Sequence, residues 1–225
     1  MNLIAAVDSN WAIGKNNQLL VRIPMDQKFY QVGTGAAAGS IAITHYREEG
    51  AVGPETHAQL VWLPEQGFEL TMWCFEENPR ATYFEPNDPV HNDSCMECFL
   101  NVFPDMPDKG YISAEMNANG ASRSSFGVIR GQRERVVNLG QPHIEVEVTY
   151  PFRDGRKCWQ ARTLFRRDVL EALYGRPCDF GPGHKMRANF YKCGEKVDQP
   201  HWGAWSEVPR LDFHLPDYFG YLEIV

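Results

Sequence analysis

Tyr111-Ile112-Ser113-Ala114-Glu115-Met116-Asn117 carries Ile112, Ala114 and Met116 on one parity and Tyr111, Ser113, Glu115 and Asn117 on the other. Successive side chains of a strand point to opposite faces, so this alternation describes a sheet with one buried face. The same pattern extends in both directions. Upstream lie Phe68, Leu70, Met72 and Cys74, then Met96, Cys98 and Leu100; downstream lie Ile144, Val146, Val148 and Tyr150, then Met186, Ala188 and Phe190. Clusters of Pro, Gly, Asn and Asp separate these runs, which is the signature of an all-β sandwich or barrel rather than of alternating strands and helices. One helix is expected, from Arg166 to Tyr174, with Val169, Leu170 and Leu173 on one side and Gly175 and Pro177 ending it.

A chain of 225 residues suits one large β-domain, or one domain with an appendage. The formal charge of -7 and the absence of a basic run argue against nucleic acid or an anionic membrane as partner, because both require clustered Lys and Arg. A neutral ligand fits better, and an aromatic content of 12% suits rings that stack on sugars as well as a large core. No stretch approaches the roughly 18 apolar residues of a membrane span. The opening Met1-Asn2-Leu3-Ile4-Ala5-Ala6-Val7-Asp8 lacks the positive start of a signal peptide, so the expected location is the cytoplasm. Reduced thiols are then expected for Cys74, Cys95, Cys98, Cys158, Cys178 and Cys193. Cys95-x-x-Cys98 has the spacing of half a zinc site, but residues three apart on a strand face opposite ways and no matching half follows.

The polar parity says what the other sheet face presents. Tyr111, Ser113, Glu115 and Asn117 stand together, and so do Arg187, Asn189 and Tyr191. An ordinary solvated sheet face accounts for such a mixture. A sugar-binding face accounts for it too, with rings covering the C–H side of a pyranose and amides or carboxylates taking its hydroxyls.

Several segments resemble the family 9-like carbohydrate-binding domain in order and spacing. They are 54–60, Glu77-Asn78-Pro79-Arg80-Ala81-Thr82-Tyr83, Asn87-Asp88-Pro89-Val90, 93–100, Glu115-Met116-Asn117-Ala118-Asn119-Gly120, 187–194, Gln199-Pro200-His201-Trp202-Gly203-Ala204-Trp205 and 212–220. The resemblance covers residues 41–225 and implies a two-sheet, jelly-roll-like β-sandwich. It also implies a sugar end held between two rings, in modules whose better-studied relatives are attached to xylanases. On that match the first ring position is His91, the second is Phe213, and the site carboxylate is Glu97. An imidazole stacks with less area than an indole, so either affinity is low or Trp202 or Trp205 supplies the missing platform. Glu97 also reads as a half-buried structural carboxylate. Asn87, Asp88, Asn92 and Asp93 offer oxygen ligands of the kind calcium takes, which some relatives carry, but Asn and Asp crowd β-turns for conformational reasons as well.

Residues 1–31 resemble a different protein, the opening of bacterial dihydrofolate reductase. The resemblance rests on Leu3-Ile4-Ala5-Ala6-Val7, Asn10-Trp11-Ala12-Ile13-Gly14-Lys15-Asn16-Asn17, Arg22-Ile23-Pro24 and Asp26 before Phe29. It implies a loop over nicotinamide and a carboxylate at Asp26 that helps protonate a pterin. No later nucleotide-binding motif follows, and a first strand with one carboxylate does not hold two ligands in register. Gly33-Thr34-Gly35-Ala36-Ala37-Ala38-Gly39-Ser40 reads as a linker or seam, dividing 1–40 from 41–225. Either Leu3 to Val7 is recruited as an edge strand or the first forty residues are a poorly packed appendage, and partial recruitment is favoured because an exposed apolar run invites aggregation.

The sequence therefore leads to a non-catalytic module for a mono- or oligosaccharide. Its candidate site comprises His91, Glu97, Glu115, Asn117, Arg187, Asn189, Tyr191, Trp202, Trp205 and Phe213, with no cofactor other than the calcium considered above. Two alternatives stand beside it. One is a glycoside hydrolase using Glu97 and Glu115, which requires the carboxylates about 5–10 Å apart across a cleft. The other is folate-reductase-like binding of NADPH or folate through the N-terminal segment.

Overall fold

The computed structural model describes residues 28–47 and 52–225, together with the short paired strands Gly14–Lys15 and Gln18–Leu19. The alternating runs become two sheets packed face to face. The first sheet is built from β6 (Cys95–Asn101), β7 (Tyr111–Asn117), β8 (Ser122–Gly127), β9 (Glu134–Arg135), β12 (Lys185–Gly194) and β14 (Gly220–Ile224), in the order β9-β8-β7-β6-β12-β14. The second runs β4-β5-β11-β10, from Thr56–Leu63, Gly67–Cys74, Trp159–Arg166 and Val146–Thr149.

The strand β1 (Phe29–Thr34) belongs to both. Its Phe29, Tyr30, Gln31 and Val32 pair in parallel with Tyr221 to Ile224, and its Gly33 and Thr34 then pair in parallel with Val61 and Trp62. A close contact explains the residue at the crossover: a Cβ on Gly33 would sit 2.0 Å from the carbonyl oxygen of Ala36. The segment read as a linker from Gly33 therefore begins inside a strand. The sandwich also extends upstream of the boundary expected at residue 40. Leu3 to Val7 and Asp26 lie outside the described residues.

Short strands complete the layers. β2 (Ile41–Ile43) adds to β4, while β13 (His201–Ala204) pairs with β12 on one side and with β3 (His45–Tyr46) on the other. Between the sheets the predicted parity fills one core: Met96, Cys98, Leu100, Ile112, Ala114, Met116 and Phe190 from the first layer meet Leu60, Trp62, Phe68, Leu70 and Trp159 from the second. The helix α1 spans Arg167–Tyr174 and closes one end with Val169, Leu170, Leu173 and Tyr174. It stops at Gly175, whose φ of 68° is the left-handed cap that glycine adopts without strain.

The opposite face of the first sheet is not solvated. Tyr111, Asn117, Asn189 and Tyr191 are fully buried there, because chain from Trp202 to Phe219 folds back across most of it and the loop at Tyr83 and Asp93 covers Asn117. What remains open on that face is a cleft.

Candidate functional site

The cleft takes its floor from strand register. Arg123 pairs with Glu115, Glu115 with Glu97, and Glu97 with Tyr191, so these four form one row across β8, β7, β6 and β12. A second row runs Asn117, Cys95, Cys193 and Trp202. Directly opposed residues share a face, so both rows point away from the core. The cleft above them encloses about 620 Å³. The turn at Val90–Asn92 brings His91 to its rim, and the segment Leu211 to His214 forms part of its wall.

Five of the expected residues line this space: His91, Glu97, Glu115, Trp202 and Phe213. The other five are committed elsewhere. Asn117 donates to the Tyr83 carbonyl and to Asp93, both at 2.9 Å. Asn189 ties the Ser206 backbone, and the Tyr191 hydroxyl donates to the Phe213 carbonyl at 2.9 Å while its ring stacks under Phe213 at 4.0 Å. Arg187 lies over Tyr221 and donates to the Phe219 carbonyl. Trp205 is buried against Phe190, so Trp202 is the indole the cleft presents.

The sequence reading did not single out the basic wall. Arg123, Arg130, Arg133 and Arg135 all face the cleft. Arg133 is held by the Tyr111 and Ser125 carbonyls and the Ser113 hydroxyl, with its guanidinium 4.1 Å over the Tyr111 ring. Arg130 pairs with Asp212 at 3.1 Å. The run Arg130-Gly131-Gln132-Arg133-Glu134-Arg135 was the available signal, but in sequence it lies on a loop with no parity to aim it.

These charges act on one another in a dry setting. Burial pushes both Glu97 and Glu115 above the ordinary carboxylate range, and for Glu115 the guanidinium of Arg123 and the ring of His91 pull back. His91 Nδ1 receives Arg123 at 3.3 Å and stands 3.9 Å from Glu115. His214 Nδ1 lies 2.7 Å from the Tyr111 hydroxyl and 3.4 Å from Arg133, which can only donate, so that nitrogen is an acceptor. Burial, with Arg133 next in weight, drives the His214 pKa down to about 3. Chemically, the cleft offers two carboxyl groups raised above their ordinary range, strong donors and two rings in one enclosure.

Of the residues considered for calcium, Asp93, Asp88 and Asn92 hold the turns of their own loop, while the Asn87 side-chain oxygen has no protein partner among the described residues. Both Asp93 oxygens accept protein donors, from Thr82 N at 2.7 Å, Thr82 Oγ1 at 2.8 Å, Tyr83 N at 3.1 Å and Asn117. Asp88 accepts from Glu85 N, Asn92 donates to the Tyr83 hydroxyl, and Asn87 holds a left-handed φ of 67°.

A family model for carbohydrate-binding family 9 matches residues 61–224, well over half of the chain. The chain belongs to carbohydrate-binding family 9. This family 9 domain is similar in structure to a candidate carbohydrate-binding protein from Bacteroides uniformis ATCC 8492, with a TM-score of 0.70 and 21% identity over 88% of this chain and 100% of that one. It is also similar to a family 9 module from Caldicellulosiruptor kristjanssonii solved with cellotriose, with a TM-score of 0.57 and 11% identity over 88% and 93% of the two chains. The same module solved with glucose matches equally, over 96% of its length. At these identities the likeness is one of fold. No curated protein matches the chain. The family 9 match and these neighbours account for the sandwich, and they lend no support to the reductase resemblance of the N-terminal segment.

Proposed function

We propose that the family 9 domain binds a mono- or oligosaccharide in the cleft, without catalysis. Trp202 and Phe213 serve as stacking surfaces, and Glu97, Glu115, His91 and Arg123 meet the hydroxyl groups. The observation that carries this reading is the presence of two partly exposed rings in the same cleft as carboxyl and guanidinium groups, the combination that a pyranose requires. The solved neighbours that hold glucose and cellotriose lend it further support.

A second cleft of about 550 Å³ shares Trp202, Leu211 and Phe213 with the first and continues toward His45, Tyr46 and Arg47. A ligand longer than one sugar unit therefore has room to pass over the same rings. Glu97 and Glu115 are neighbours on one sheet face. A glycosidase needs its two carboxyl groups to flank a scissile bond, and the family 9 match gives that alternative no support.

The test is a titration of xylose, glucose, cellobiose and xylobiose followed by tryptophan fluorescence, repeated with Phe213→Ala. A saturable change that the substitution abolishes supports the reading. A flat response to all four sugars contradicts it.

A further inference from the structure

Behind the carboxyl row, the cleft floor contains a second constellation of different chemistry. Cys95 and Cys193 are paired residues of adjacent antiparallel strands, and Glu97, two positions along from Cys95, shares their face. One donor atom from each lies within 4.8 Å of the others: Glu97 Oε1 is 3.1 Å from Cys193 Sγ and 3.9 Å from Cys95 Sγ. All three side chains are buried, and both thiols are free. Cys193 and Glu97 also form part of the cleft lining, so the group is walled by protein on one side and open to the cleft on the other.

Two features distinguish this group from ordinary core cysteines. First, the hydrogen-bond partners of the Glu97 carboxyl among the described residues are the two thiols, and among those residues it has no ion pair with a basic side chain. Thiols are weak donors, so a buried carboxyl supported only by them is poorly satisfied unless something else is bound there. Second, the spacing suits a tetrahedral ion. Zinc lies about 2.3 Å from sulfur and about 2.0–2.2 Å from carboxylate oxygen, which puts tetrahedral donors about 3.5–3.8 Å apart.

We propose that Cys95, Cys193 and Glu97 form a site for a thiophilic divalent ion of the zinc type, with its fourth coordination position facing the cleft. Two thiolates and a carboxylate around a divalent ion leave one net negative charge. Lys192, next to Cys193 on β12, faces the other side of the sheet, where its ammonium meets Glu76, Ser94 and His201. Two sulfur donors select such an ion over calcium or magnesium, which take oxygen ligands. Three protein ligands and one open position are also the arrangement that lets a zinc ion accept a water or a ligand oxygen. The site is independent of the calcium ligands considered from sequence, and it uses Cys193 rather than Cys98 as the partner of Cys95.

The test is a titration of the reduced full chain with Co²⁺, without sugar, followed by competition with Zn²⁺. The expected result is a thiolate-to-cobalt charge-transfer band saturating at one equivalent and removed by Zn²⁺ but not by Ca²⁺. Cys193→Ser and Cys95→Ser should each abolish the band, Glu97→Gln should weaken binding at least about 10-fold, and Cys158→Ser should leave it intact. Circular dichroism of each variant separates loss of the site from loss of the fold. No band in the folded wild-type chain overturns the proposal, and so does a band that survives in both folded cysteine variants. Because no sugar is present, neither result bears on the saccharide reading.

Discussion

Asp93 shows how one side chain can shape the proposed saccharide cleft without lining it. Its carboxylate gathers the backbone N–H groups of Thr82 and Tyr83, the Thr82 hydroxyl and the Asn117 amide, with Arg80 Nε 3.5 Å away. These bonds fasten the loop before β6 to the end of β7, and the turn that carries His91 directly precedes Asp93. Replacing it by alanine leaves several buried donors unpaired, so Asp93→Ala should lower stability by about 2–4 kcal/mol in urea denaturation. At the cleft itself the expected effects are more local. Trp202→Ala removes a partly exposed ring that lines both clefts, and should weaken saccharide binding by at least about 10-fold while shifting the denaturation midpoint little. Isothermal titration and urea denaturation of the same variant separate the two effects.

At the scale of elements, the two layers are joined by a polar cluster as well as by the apolar core. Lys192, on β12 and fully buried, places its ammonium 3.5 Å from Glu76, just past the end of β5, and also contacts Ser94 and His201. Burial alone would raise the Glu76 pKa, but Lys192, Ser94 and Trp159 outweigh it and hold the carboxyl below its usual range. Lys192→Met should therefore cost about 3–5 kcal/mol by stranding Glu76, and the double variant with Glu76→Gln should recover part of that loss. Close approach matters equally at β14. A Cβ on Gly220 would stand 2.4 Å from the Trp205 ring, so Gly220→Ala should cost about 1–3 kcal/mol in the same assay.

Strand parity made most of this scaffold legible beforehand. Ile112, Ala114 and Met116 face the core as their alternation required, and Val169, Leu170 and Leu173 placed the helix within one residue of its observed start. The bridging role of Phe29 to Thr34 was hidden because parallel pairing to two different sheets leaves no local pattern. The fate of the polar parity was hidden for a similar reason. Whether Asn117, Asn189 and Tyr191 meet solvent, ligand or protein depends on distant chain folding over them, the loop at Tyr83 and Asp93 for the first and the segment from Ser206 to Phe213 for the other two, and alternation within a strand carries no information about that cover.

Across the whole molecule, pH should act with one sign on several buried groups. His214 is depressed to about 3, and burial also lowers His143, His184 and His201. An unfolded chain protonates these rings near their ordinary value, so their contribution is fully present above about pH 6.5 and falls away as pH drops toward the folded values. Glu97 and Glu115, raised by burial, act with the opposite sign, so the histidine part is read by difference: between pH 7 and pH 4 His214→Gln should lose less stability in urea than the unsubstituted chain. The central claim concerns where a saccharide sits, and amide-resolved NMR tests it most directly. Titrating xylobiose into the labelled chain should move the Trp202 indole N–H and the amides of Arg123, Arg133, Arg135 and Phe213 in a saturable way. Saturable shifts confined to the strands of the second sheet, or none at millimolar sugar, would contradict the account.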